Sequence, residues 1–197
     1  MASVSDNFNR ANENPLASPW VQVENTLEIF SSAILGTGFG VHNCFRYGGA
    51  GLIGNHEAQA RIASAPTDVN ERFLGPCVRC QSGVVSYYAF HSDSAQTKIV
   101  QVIAGTMTTL TSGGPAAVLN DVLRLRAVTN AGVTTLTGYI NDVQQLQVVA
   151  GTELTGGDPG MVIDSNFTPS LDDFFAQDVA GAAPDPFIPG RRLRARV

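Results

Sequence analysis

Hydrophobic residues in this chain recur at every second position, not at every third or fourth. In Val122-Leu123-Arg124-Leu125-Arg126-Ala127-Val128, an extended backbone puts Leu123, Leu125 and Ala127 on one face and Arg124 and Arg126 on the other. That pattern predicts a half-buried strand. Residues 133–141 repeat it with Leu136, Gly138 and Ile140 turned inward, and Thr129-Asn130-Ala131-Gly132 predicts the hairpin turn between the two. A third strand over 144–149 completes an antiparallel meander. Upstream, residues 72–81 and 84–91 read as a second hairpin around Ser82-Gly83, with 97–103 beside it. No long helical stripe occurs; single helical turns are expected at 115–120 and 169–173.

Short strands separated by turn signals about every ten residues predict an all-β, two-sheet antiparallel sandwich. With 197 residues the chain is expected to form one such domain over 1–178. From 179 to 197 the composition changes to an Ala/Pro-rich linker and an Arg-rich tail, which cannot continue a sheet. Two aromatic segments, Asp6-Asn7-Phe8-Asn9-Arg10 and Leu171-Asp172-Asp173-Phe174-Phe175, bracket the domain. They predict neighbouring first and last strands, with Phe8 and Phe174 or Phe175 as a cross-strand pair and Trp20 closing one end of the core.

Charge narrows the set of partners. Charged residues make up 15% of the chain, well under the usual share of about 25%, so the surface is built largely from Ser, Thr, Asn, Gln and Gly. Such an exterior suits protein or sugar contacts, and neither a nucleic acid nor a membrane is expected as partner. All 17 acidic residues precede Gly190, whereas Arg191, Arg192, Arg194 and Arg196 crowd the end, so the tail is the expected element for docking on an acidic protein partner. The N-terminus shows no secretory pattern, and no apolar run approaches the length that crosses a bilayer. Three cysteines do not make a disulfide framework. Cys77-Val78-Arg79-Cys80 looks like a redox motif or half of a zinc site, yet on a regular strand its thiols point to opposite faces, and free buried cysteines are expected.

The opening segment followed by Leu16-Ala17-Ser18-Pro19-Trp20 resembles the start of concanavalin A-like jelly-roll domains of the lectin, laminin-G and glucanase superfamily. Arg79 ahead of Tyr87-Tyr88, the 122–141 meander and the glycine-rich approach Gly156-Gly157-Asp158-Pro159-Gly160 to the closing Asp-Asp-Phe agree with it. The resemblance implies a concanavalin A-like sandwich over about 6–178, in a superfamily of lectins, hydrolases, adhesion modules and virion proteins. It also implies, in some relatives, a structural Ca2+ near the junction of the terminal strands, where Asp6, Asp172 and Asp173 are the candidate ligands; bonding of these carboxylates to turns is the favoured reading.

Glucanases of the superfamily carry Glu-x-Asp-x-x-Glu, whose carboxylates lie about 5 Å apart. Glu13, Glu24, Glu28, Glu57, Glu71 and Glu153 all lack an aspartate two positions on. No nucleophile elbow or phosphate loop occurs either, so no enzyme and no cofactor are expected. For sugar recognition, Arg79, Tyr88, Arg124, Arg126 and Tyr139 supply planar donors and aromatic faces on expected outward positions. The leading expectation is a non-catalytic structural protein on a phage virion surface, made in the host cytoplasm. It would decorate a capsid or form a fibre, as a homo-oligomer on a capsid or tail protein. The alternative is a lectin-like carbohydrate-binding module for cell-surface or environmental glycans.

Overall fold

The computed structural model describes residues 1–37, 42–52, 54–66, 73–151, 154–164 and 169–180. Its strands, in chain order, begin with β1 (Ser3–Asp6), β2 (Trp20–Glu24), β3 (Leu27–Phe30), β4 (Ala33–Gly36) and β5 (His42–Tyr47). They continue with β6 (His56–Ser64), β7 (Leu74–Cys80), β8 (Tyr87–Ser92), β9 (Gln96–Ile103) and β10 (Thr106–Pro115). The last are β11 (Val122–Asn130), β12 (Val133–Ile140), β13 (Val143–Gly151), β14 (Asp158–Asp164) and β15 (Ser170–Asp178). No helix occurs among the described residues.

Two antiparallel sheets result. The first runs β13-β12-β11-β6-β15-β4-β3, with β1 also on β15; the second runs β10-β9-β8-β7-β14-β5-β2. Their inner faces form one core that includes Leu123, Leu125, Leu136 and Ile62 from the first sheet and Val78, Tyr88, Phe90 and Met161 from the second. The sheets interlock closely at Gly138, where an added Cβ would lie 2.6 Å from the Phe90 ring. Glycine is needed there to admit the ring.

The meander forms in the expected register, Leu125 opposite Gly138 and Arg124 opposite Tyr139. Its turn places Ala131 and Gly132 at φ 49° and 80°, the left-handed geometry of a two-residue hairpin. The first and last strands do pair, with Ser3 opposite Gln177 and Asp6 opposite Phe174. Phe8 is not part of that ladder. It lies beyond the end of β1 at φ 50°, and Trp20 stands between the two rings, 5.7 Å from Phe8 and 4.9 Å from Phe174. Trp20 is itself buried in the core, as expected. Residues 170–173 begin β15, and 116–120 form an irregular stretch ending in a turn where Asn120 takes φ 72°, so neither expected helical turn is present.

The outer face of the second sheet is also dry. Along β8 residues alternate between two apolar clusters: Tyr88 and Phe90 belong to the core, whereas Tyr87 and Ala89 join Cys44, Cys77, Cys80, Val100, Val102 and Val162 outside it. Both faces of β7 and β8 are buried along their whole length.

Candidate functional site

The outer face of the first sheet is different in kind. Because Leu123, Leu125 and Ala127 point into the core, Arg124 and Arg126 stand on the outside, and the register extends their rows across neighbouring strands. Gln177 of β15 lies opposite Glu57 of β6, Glu57 opposite Arg126 of β11, Arg126 opposite Thr137 of β12, and Thr137 opposite Gln147 of β13. Five strands thus contribute one continuous row of amide, carboxylate, guanidinium and hydroxyl groups. In the adjacent row, Arg124 stacks its guanidinium over Tyr139 at 4.2 Å from the ring centre, and Arg126 lies 5.7 Å from the same ring.

Glu57 organises this surface from beneath. Its side chain is only 4% exposed. It accepts from Gln177 Nε2 at 2.8 Å, from Arg126 Nε at 2.8 Å and from Arg124 Nη1 at 3.3 Å. Burial alone would push the carboxyl up, but the hydrogen bonds from Gln177 and Arg126 and the nearby charge of Arg124 outweigh it and hold Glu57 below the usual glutamate range. Arg124 also reaches Asp142 at 3.0 Å, and Gln147 Nε2 donates to Thr137 Oγ1 at 3.2 Å. The guanidinium and amide planes are therefore fixed before any ligand arrives. Beside them opens a shallow recess of about 390 Å³, walled by Arg126, Asn130, Thr135, Thr137, Tyr139 and Gln147. Half-exposed Tyr139 supplies an aromatic surface and the rest supply donors and acceptors.

Two of the residues expected on an outward face are not there. Tyr88 is fully buried in the core, because both faces of β8 are covered and the run Tyr87-Tyr88-Ala89-Phe90 carries no polar alternation to reveal its orientation. Arg79 is fully buried as well. Its backbone adopts φ 56°, which swings the side chain between the sheets to donate to Thr134 Oγ1 (2.8 Å), Thr129 Oγ1 (2.7 Å), the Gly54 carbonyl (3.3 Å) and the Leu154 carbonyl. It is a clamp across the sandwich, not a ligand contact. The sequence reasoning missed Glu57, Gln177, Thr137 and Gln147, which come from four strands and share no local motif.

The carboxylates considered for Ca2+ are engaged by protein donors. Asp6 accepts from Phe8 N, from Arg10 Nη1 at 2.7 Å and from Trp20 Nε1 at 2.8 Å, while Arg61 bridges Asp172 and Asp173 at 2.5 and 2.7 Å. Arg191, Arg192, Arg194 and Arg196 lie outside the described residues. A second recess, of about 540 Å³, lies beside Gln81, Ser82, Ser86, Gln101 and Thr106; no aromatic ring lines it among the described residues.

No protein-family model matches the chain, and no curated protein matches its sequence. Solved structures do. The carbohydrate-binding module CBM66 from Bacillus subtilis superposes with a TM-score of 0.59 at 11% identity, covering 79% of this chain and 91% of that one. The fold is a two-sheet antiparallel jelly-roll β-sandwich. The metal-free carbohydrate recognition domain of Emp46p matches with a TM-score of 0.57 at 8% identity, over 83% of this chain and 89% of its own. Apo Crh5 transglycosylase matches at 0.56 and 10% identity, over 93% and 86%. Non-catalytic and catalytic proteins thus share this scaffold, and the choice between them falls to the side chains.

Proposed function

We propose that this chain is a non-catalytic carbohydrate-binding module that receives a glycan on the outer face of the first sheet. The observation that carries the reading is the row Gln177, Glu57, Arg126, Thr137 and Gln147 beside Tyr139, a preorganised set of planar hydrogen-bonding groups with an aromatic surface. Sugar hydroxyls both donate and accept, and amide and guanidinium planes fixed in advance meet them with little loss of side-chain freedom. The likeness to a carbohydrate-binding module and a carbohydrate recognition domain supports the same reading.

The chemistry of Glu57 speaks for binding over hydrolysis. A retaining glycosidase needs a protonated acid beside a second carboxylate about 5 Å away. Glu57 is instead held ionised by three donors beneath the surface, and no carboxylate lines the recess among the described residues. The virion role rests on the low surface charge and the arginine-rich end of the sequence, and the comparisons add no support to it. A carbohydrate-binding domain displayed on a particle would satisfy both readings, and co-sedimentation of the protein with particles from its source tests that addition separately.

Affinity electrophoresis through gels cast with a panel of polysaccharides tests the proposal. At least one polysaccharide is expected to retard the wild-type protein, and Tyr139→Ala or Gln147→Ala to weaken that retardation by about tenfold or more, the loss of roughly 1.4 kcal/mol or above expected of a central contact. Both side chains sit at the surface, so the fold is expected to survive. Unretarded wild-type protein across the panel, or retardation indifferent to both substitutions, would overturn the reading.

Since Arg10 already pairs with Asp6 and Arg61 with both Asp172 and Asp173, a large excess of Ca2+ is expected to leave the melting temperature unchanged; a clear rise would place an ion among those carboxylates.

A further inference from the structure

The three cysteines of the chain converge. Cys77 Sγ lies 3.2 Å from Cys80 Sγ and 3.8 Å from Cys44 Sγ, and all three sulfurs fall within 4.8 Å of one another. A bulge makes this happen. On a regular strand, residues three apart face opposite ways, but Arg79 takes φ 56° and turns inward next to Val78, so Cys80 returns to the side of Cys77. Cys44 reaches them across β14, where Gly160 is the register partner of Cys77. A Cβ on Gly160 would lie 3.1 Å from the Cys77 sulfur, so glycine leaves the thiol its space. The expectation that the Cys77 and Cys80 thiols point apart is thereby corrected.

Two polar atoms in this dry layer lack partners. Glu24, directly opposite Cys44 in the β2–β5 register, has Oε2 buried without a hydrogen bond, and so does the Tyr87 hydroxyl, whose side chain is 1% exposed. A buried carboxylate oxygen without a donor beside three thiols is the chemistry that a bound cation would satisfy.

We propose that Cys44, Cys77 and Cys80 hold one thiophilic divalent cation of the Zn(II) class as a structural site, with Glu24, whose carboxylate stands outside the cluster of three sulfurs, turning in from the neighbouring strand as fourth ligand. Tetrahedral bonds of about 2.3 Å to sulfur set neighbouring sulfurs about 3.8 Å apart, the separation of Cys44 and Cys77, while Cys77 and Cys80 at 3.2 Å would open slightly around the ion. Binding displaces the thiol protons to solvent and joins β2, β5 and β7 through a single ion. The site is independent of the glycan surface, which lies on the other sheet.

Reduced protein refolded with Zn(II) is expected to retain one equivalent after desalting. With Cd(II) in its place, an ultraviolet thiolate-to-metal absorbance should appear, fall sharply in Cys44→Ser, Cys77→Ser and Cys80→Ser, and persist in Glu24→Gln with affinity reduced about tenfold or more. The wild-type protein alone supplies a second reading, a melting temperature that rises with Zn(II). Absence of the absorbance in folded wild-type protein, absorbance unchanged in Cys77→Ser, or a melt indifferent to Zn(II) overturns the proposal. So does a Cys77 to Cys80 disulfide that excludes metal, seen as a mass two hydrogens lower in protein isolated without reductant.

Discussion

Replacing Arg79 by Ala is expected to lower the unfolding free energy by about 3–5 kcal/mol, the range for emptying a large buried side chain and leaving buried acceptors without their donor. Arg79 is fully buried, and its charge is solvated by two threonine hydroxyls and two carbonyls. The substitution removes a large packed side chain and leaves those four oxygens to find other partners inside the sandwich. Lys carries the same charge but has a single ammonium, which cannot reproduce the guanidinium fork, so Arg79→Lys is expected to recover only part of the loss. Urea unfolding curves measure both. An Arg79→Ala midpoint equal to that of wild type would contradict the clamp.

Acidification from pH 6.5 to 4 is expected to cost about 3 kcal/mol of stability through one residue, His56. His56 is completely buried, and its Nε2 accepts the backbone N–H of Arg79 at 3.2 Å. Burial first, and the charge of Arg79 second, bring its pKa from 6.5 down to about 4. The folded protein therefore refuses a proton that the unfolded chain accepts below pH 6.5. Stability is full above 6.5, declines with falling pH, and levels off once the folded form protonates near 4. Burial raises the carboxyl groups of Glu24 and Asp172, which act in the opposite sense because the folded form takes up their protons first. The difference between wild type and His56→Gln, followed by urea unfolding across this window, isolates the histidine. A wild-type profile parallel to that of the variant would contradict the assignment.

Arg79 also marks where the sequence stopped being readable. Alternation exposed the 122–149 meander because each strand has one wet and one dry face, joined by turns with left-handed geometry at Ala131, Gly132, Asn141 and Asp142. From the same alternation came the outward positions of Arg124, Arg126 and Tyr139. Arg79 and Tyr88 defeated it: β7 and β8 are buried on both faces, and the bulge at Arg79 shifts the parity on which alternation depends. Strand β10 was hidden by Thr-Ser-Gly composition and by register breaks at Thr109/Thr111 and Ser112/Gly114, features of an exposed edge. Glu57, Gln147 and Gln177 could not be joined to Arg126 in advance, because their neighbourhood is a matter of strand order. The same holds for Cys44, which lies 33 positions from Cys77 and meets it only across β14.

The central claim is that the outer face of the first sheet is where a glycan sits. Amide chemical-shift mapping, with an oligosaccharide cut from a polysaccharide that retards the protein, tests it most directly. The account predicts shifts concentrated on β6, β11, β12, β13 and β15, at and beside Glu57, Arg126, Thr137, Tyr139, Gln147 and Gln177. Shifts confined instead to the recess around Gln81, Ser86 and Gln101, or to the second sheet, would contradict it.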